Sequence, residues 1–301
     1  MTHILCAGMA VLDEVFHVRE FPAPDTKAEA TEFFAVGGGN AANAAVAIAR
    51  LGARVAFAGP IGGPAGEDAI GDRVIKALAV EDIDCGGCLR LAGARTPISA
   101  ILLNAQGERT IANHRDKRLD TVTPADPDRL VADIDVLLVD NRYPTFVTPI
   151  CHAARRRGLA VVIDVDKATV ETDPLFALGT HVIFSGDCLR QTTGIDDLAA
   201  GLTRMSQFTD AFLAATNGAL PVLWREEGAI RVMPVFEIAA IDTLAAGDVF
   251  HGAFTLALAE NRGVVEAMRF AAAAAGLKCT RFGGATGAPR RHEVEALLAV
   301  R

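Results

Sequence analysis

The sequence predicts a three-layer α/β/α fold with a mainly parallel central sheet and a small β-sheet lid. Compact apolar runs at residues 136–140, 160–164, 181–184 and 211–216 read as buried strands, with helical patterns at 145–157 and 195–207 among them. Strands that alternate with helices imply a mainly parallel sheet covered by helices on both faces. A glycine run, Gly37-Gly38-Gly39, opening onto an alanine-rich helix is the second indication. The third is a pair of stretches, 13–35 and 95–118, that carry β-like runs without helices and would form a small sheet outside the main domain. The core is then expected to comprise 1–12, 36–94 and 119–301.

Taken in order, residues 3–8 make a short buried strand, with Asp13 shortly after its end. Ligands bind at the ends of parallel strands in open α/β sheets, so Asp13 is a candidate for gripping substrate hydroxyls. By pattern alone a turn or cap carboxylate explains it equally well. Residues 14–36 alternate through Val15, His17 and Arg19 and then carry Pro22, Pro24, Lys27, Phe33 and Phe34, which suggests short exposed strands. The helix that follows the glycines stops at Gly52. A dinucleotide-binding loop is excluded there because no GxGxxG is formed. Residues 53–59 are a strand and 66–78 a helix. Residues 96–103 and 108–113 pair through the turn signal Asn104-Ala105-Gln106-Gly107. Beyond the alternating region, 220–224 and 230–235 form a hairpin around Glu226-Glu227-Gly228. A helix then starts near Asp248, a second runs from 264 to about 277, and 280–289 is a glycine-rich loop that includes Gly283.

The chain of 301 residues is long enough for a large core, and with 51% hydrophobic and 22% charged residues it belongs with soluble globular proteins. A net charge of -8 argues against a nucleic-acid surface. An anionic substrate would need a local basic pocket to overcome that background. The six cysteines are scattered, which suits a reducing cytoplasm, and Cys85-Gly-Gly-Cys88 is a lone CxxC better explained by reduced thiols than by zinc. No apolar run approaches the ~18 residues of a membrane span. The N-terminus lacks a basic leader, so a first strand is expected there and not a signal peptide.

The chemistry concentrates in Ile241-Asp242-Thr243-Leu244-Ala245-Ala246-Gly247-Asp248, a turn of small residues running into an apolar helix. With Asp242 or Thr243 capping the turn, the amides of Ala245, Ala246 and Gly247 would be available to an anion. Asp248 beside them could take a proton from an attacking hydroxyl while the amides hold a phosphoryl group, the arrangement phosphoryl transfer needs. An ordinary capped helix would use the same residue types.

This stretch resembles the signature Asp-Thr-x-Gly-Ala-Gly-Asp of the ribokinase/PfkB carbohydrate kinase family, with Ala245 where glycine is usual. Alanine there is expected to adopt a backbone conformation that L-residues tolerate. Gly38-Gly39 followed by Asn43 and a helix ending Ala49-Arg50-Leu51-Gly52 is similar to the family's second signature. The resemblance implies a ribokinase-like fold, with Gly38, Gly39 and Asn43 holding a sugar and a lid that covers it and mediates a homodimer. It implies ATP and Mg²⁺ as cofactors and admits a monovalent cation.

Thr216 and Gly218 match the family's nucleotide-contacting Thr-x-Gly, although Pro221 replaces a later glycine; Thr243 and Gly283 complete the expected nucleotide side. The family's Asn-x-x-Glu is absent: Ser185 and Cys188 stand at its positions. No protein metal ligand is therefore assigned, and the metal is expected to bind through ATP phosphates. Lys27, Asn113 and Arg142 together would suit a sulfonate or phosphate, since arginine offers a bidentate fork. The spacing around them, with Asp248-Val249-Phe250-His251-Gly252-Ala253, Leu277-Lys278-Cys279-Thr280-Arg281 and the missing Asn-x-x-Glu, resembles the family's sulfofructose kinase branch, which implies phosphorylation of a primary hydroxyl of 6-deoxy-6-sulfofructose. The other readings are a kinase for a neutral ketose, ribose, 2-keto-3-deoxygluconate or a nucleoside, or a catalytically inactive sugar- and nucleotide-binding regulator. The expected partners are a small-molecule sugar and ATP, without nucleic acid or membrane.

Overall fold

The protein is described from a computed structural model covering residues 2–300 apart from Ala105 and Gly107. The first half carries strands β1 (His3–Ala7), β2 (Val11–His17), β3 (Glu32–Gly38), β4 (Arg54–Ala58), β5 (Pro60–Gly63), β6 (Leu89–Ala92), β7 (Ile98–Leu103) and β8 (Arg109–His114). The second half adds β9 (Val136–Asp140), β10 (Ala160–Val165), β11 (His181–Ser185), β12 (Phe212–Asn217), β13 (Leu220–Glu226) and β14 (Ala229–Met233). The helices are α1 (Asn40–Arg50), α2 (Ala69–Val80), α3 (Pro127–Leu130), α4 (Pro144–Arg156) and α5 (Pro174–Leu178). They continue with α6 (Gly186–Thr193), α7 (Leu198–Met205), α8 (Ala246–Ala259), α9 (Val264–Cys279) and α10 (Arg291–Val300).

Eight strands form the central sheet in the order β14-β13-β12-β11-β10-β9-β1-β4. The strands from β12 to β4 pair in parallel, and the β13–β14 hairpin adds an antiparallel edge. Strands covered on both faces must be apolar almost throughout, which is why β9, β10 and β11 appear in the sequence as unbroken hydrophobic runs. One apolar cluster packs α1, α8 and α9 on one face and another packs α4, α6 and α7 on the other. The chain leaves β1 toward β4 and later builds outward from β9, so the strand order reverses between β1 and β9. A crevice at such a switch point, outside the carboxyl ends of the strands, is where open α/β sheets bind ligands. Register aligns Asp140 with Asp164 and Ser185 with Thr216 along that edge.

The expected lid is a second sheet, in the order β3-β2-β7-β8. The turn between β7 and β8 lies partly outside the described residues, but Asn104 Oδ1 accepts from the Gln106 and Glu108 amides at 3.1 and 2.9 Å as a turn residue would. Several elements were not legible, α3, α5 and α10 among them. The small parallel pair β5–β6 is glycine-rich and short, without alternation. The helical pattern expected over 195–207 is confined to α7, whose N-cap Asp197 accepts from the Ala200 amide at 2.7 Å. The preceding α6 is a separate helix, ended by Gly194 in the left-handed region at φ 68. All six cysteines are free thiols, and Cys85 and Cys88 face each other across a tight turn. Among the described residues no helix is long and apolar enough to cross a membrane.

Helix α8 lies against α1 with almost no spacer. A Cβ built on Gly252 would sit 2.7 Å from the Ala44 carbonyl oxygen, closer than real Cβ atoms approach. By contrast, a Cβ on Gly276 in α9 meets the Ile238 and Phe236 side chains at 3.7 and 3.9 Å, ordinary contacts. Gly252→Ala is therefore expected to destabilise the fold by about 1–3 kcal/mol through overpacking. Gly276→Ala should stabilise it by up to about 1 kcal/mol through helix propensity. Denaturant unfolding of the two variants checks the opposite signs.

Candidate active site

The turn before α8 is fixed by Asp242. Its Oδ1 accepts from the Leu244 amide at 2.8 Å, and its Oδ2 from the Gly283 and Gly284 amides at 3.2 and 3.3 Å. Ala245 is the N-cap of α8 at φ 64 and ψ 13. That is the left-handed region and not a conformation L-residues tolerate freely, so the missing glycine costs the turn about 1–2 kcal/mol, offset by the Asp242 bonds. A second expectation also changes. The Ala246 amide donates to the Thr243 carbonyl at 3.2 Å, so of the three expected donors the amides of Ala245 and Gly247 stay open to an anion.

Asp248, in the first turn of α8, faces the start of α1. Asn43 Nδ2 donates to its Oδ2 at 2.6 Å and Asn40 Nδ2 to its Oδ1 at 3.2 Å. Asn43, expected at the sugar, is thus first of all a partner of the base. Asn40 also reaches Asp164 Oδ2 at 3.4 Å, from the end of β10. Burial pushes the Asp248 carboxyl up to about 8; the Asp164 charge adds to the shift and the Asn43 bond opposes it. Asp164 is itself raised well above the usual carboxylate range by burial and then by Asp166 and Asp140. His251, one turn further along α8, is lowered by burial; its Nδ1 donates to the Gly247 carbonyl at 2.7 Å, so it holds the helix start and does not compete as base.

On the sugar side, Asp13, Ser99 and Asn113 lie opposite one another across β2, β7 and β8. Asn113 Nδ2 donates to Ser99 Oγ at 3.0 Å, and Ser99 bonds to Asp13, which is otherwise raised by burial. A Cβ at Gly38 would overlap the Asp13 carboxylate, and one at Gly39, where φ is 94, would run into the Met9 carbonyl. The diglycine therefore lets the lid strand, the loop after β1 and the start of α1 come together. Asp140 secures the same junction by accepting from the Met9, Ala41 and Arg142 amides at 2.7, 3.1 and 2.9 Å.

The expected anion pocket of Lys27, Asn113 and Arg142 does not assemble. Lys27 lies exposed in the loop between β2 and β3 with no hydrogen bond or ion pair among the described residues. Arg142 is ion-paired with Asp166, and Asp140 and Asp164 add to its field. An arginine balanced this way by carboxylates is poorly placed to attract a further anion.

Of the residues expected on the nucleotide side, Thr216, next to last in β12, lies beside Ser185, and Gly218, at φ 61, makes the turn into β13. The Thr243 hydroxyl accepts from Arg109 of β8 at 3.3 Å. A cavity of about 200 Å³ lies between Val15, Phe34, Ile101 and Leu103 of the lid sheet and the 240–244 turn. Gly283, at φ 106, is tied to Asp242 as described. Ser185, standing where the family's Asn-x-x-Glu begins, caps α6 by accepting from the Cys188 amide at 3.3 Å. Sequence reasoning missed Asn40, Asp140 and Asp164. The last two end parallel strands, so the rule that singled out Asp13 could have found them.

A buried carboxylate between free helix-start amides and a polar crevice beside the second sheet is an arrangement suited to phosphorylating small hydroxylated molecules. The chain belongs to the pfkB family carbohydrate kinases, whose model matches residues 1–291. It is 31% identical over 299 residues to a ribokinase of Haemophilus influenzae, covering 97% of this chain and 96% of that one. The crystal structure of a ribokinase-like protein from Agrobacterium tumefaciens superposes with a TM-score of 0.94 at 35% identity, covering 99% of this chain and 98% of the other. An Arabidopsis thaliana ribokinase complexed with ribose and ATP shares the fold, at 22% identity and a TM-score of 0.86 over 99% of this chain and 98% of its own.

With Asp248 near 8, kcat/KM is expected to rise with pH through that region. Asp164→Asn removes a like charge, favours the ionised form of Asp248 and should move the rising limb to lower pH. Pre-steady-state pH profiles of both proteins check the direction; an unmoved limb would refute the coupling.

Proposed function

We propose that this carbohydrate kinase transfers the γ-phosphoryl group of ATP to a primary hydroxyl of a neutral pentose or ketohexose. The observation that carries this is Asp248 held by Asn43 and Asn40 beside the open amides of Ala245 and Gly247. Asp248 takes the hydroxyl proton as the bond to phosphorus forms, and the two amides receive the charge on the phosphoryl oxygens. Asp13, Asn113 and the backbone at Gly38 and Gly39 orient the sugar hydroxyls, while Thr216, Gly218, Thr243 and Gly283 flank the nucleotide. Asp164, whose buried Oδ1 has no hydrogen-bond partner, fits the water shell of a magnesium ion entering on ATP, which would offset phosphate charge.

The lid would close over the sugar, and its exposed Phe33 and Ile111 support a homodimer formed there. A cytoplasmic location fits this chemistry. A catalytically inactive regulator is disfavoured, because a base poised near neutrality serves no purpose in mere binding. The neutral sugar is favoured over 6-deoxy-6-sulfofructose because Arg142 already answers Asp166 and carboxylates surround it.

Asp248→Asn should lower kcat by about 10²–10⁴-fold with sugar affinity largely kept. A carboxyl raised on folding gives up stability as pH rises through its folded value, so this variant should also melt higher than wild type at pH 9. Turnover above a tenth of wild type would show that the base is elsewhere. Substrate class is read from ADP release with ribose, fructose and 6-deoxy-6-sulfofructose. The neutral sugars should be preferred, and Arg142→Ala should affect all three alike. A KM increase confined to the sulfonated ketose would reinstate the anion pocket.

A further inference from the structure

The turn that offers the Ala245 and Gly247 amides is tied down by a buried lysine. Lys278, at the end of α9, has no exposed surface; its Nζ donates to the Asp242 carbonyl at 2.7 Å and lies 3.0 Å from Asp242 Oδ2. The amides of Ile241 and Asp242 donate to the Cys279 carbonyl at 2.7 and 3.1 Å. Asp242 also takes the Leu244, Gly283 and Gly284 amides. It therefore joins three segments: the turn before α8, the end of α9 and the glycine loop after it. The carbonyl-rich end of a helix favours a cation at Lys278's position.

A carboxylate and a carbonyl turned together beside a phosphate-binding turn are the hard oxygen donors that a small metal cation seeks. Here those oxygens already hold an ammonium that the chain itself supplies. Burial draws the Lys278 amine toward its neutral form, and the Asp242 charge and hydrogen bond oppose that shift. A free monovalent ion on the same oxygens would meet a like charge at contact distance in a site shielded from water, where repulsion is strong. The residues do not fit such an ion.

We propose that Lys278 is a positioning residue that acts as a built-in monovalent cation, holding Asp242 and through it the anion-binding amides, so that this kinase needs no free potassium. The role presupposes the sugar kinase activity proposed above. Sugar-dependent ADP release is measured in potassium, sodium, ammonium and, as an inert reference, tetramethylammonium chloride at equal ionic strength. Wild type should vary by less than about twofold in kcat across the salts, since it lacks a cation-dependent transition-state interaction.

Lys278→Ala, which leaves room for an ion, should lose at least about tenfold in kcat with a smaller change in sugar KM. Potassium, ammonium or methylammonium should restore several-fold of that loss and raise the variant's Tm, while leaving the wild-type Tm unchanged. Lys278→Met, which fills the space without charge, should lose activity and respond to no salt. Several-fold stimulation of wild type by potassium overturns the role, as does a Lys278→Ala protein unresponsive in both kcat and Tm. If the variants do not fold, the wild-type salt series decides alone. If wild type turns over no sugar in any salt, the kinase function fails while the melting comparison still tests Lys278.

Discussion

The contact between α1 and α8 at Ala44 and Gly252 sets the distance on which the site depends. Only a residue without a side chain lets the α8 backbone lie against the Ala44 carbonyl. One residue before that contact, Asn43 reaches Asp248 at 2.6 Å, and Asn40 completes the pair from the helix start. Separating the two helices would lengthen both hydrogen bonds, the one from Asn40 at 3.2 Å reaching its limit first. The two helices come from distant parts of the chain, so their packing couples the glycine loop to Asp248, the base proposed above.

Electrostatics then sets the character of the base. Asp248 shares its neighbourhood with Asp164 and Asp166 at the carboxyl edge of the sheet, and burial together with those charges raises it to about 8. Asn43 and Asn40 donate to the charged form and limit the rise. Two of the cations nearby are paired with carboxylates, Arg142 with Asp166 and Lys278 with Asp242.

The Asp242 carboxylate is the second organising centre. It carries the strain of Ala245 in the left-handed region by bonding the residues around it, and Lys278 neutralises it without water. The geometry of an anion-binding turn is thus supported from a helix end more than thirty residues later in the chain.

Much was legible in the sequence because local pattern determines it: the parallel strands as apolar runs, the lid as runs outside the βα alternation, and Asp248 with its small-residue turn. Asp13, expected just past the end of a parallel strand, lies instead inside β2 of the second sheet, while Gly38 and Gly39 were legible as places of close approach. What the sequence could not show were relations between residues far apart. Nothing local tells that Asn43 bonds Asp248, that Arg142 is neutralised by Asp166, that the Ala246 amide is already used, or that Lys278 is buried on Asp242. Periodicity and turn chemistry are properties of neighbouring residues, so the sequence alone determined the elements and the type of chemistry. Pairing, burial and charge balance depend on which elements pack together, and those only the tertiary structure decided.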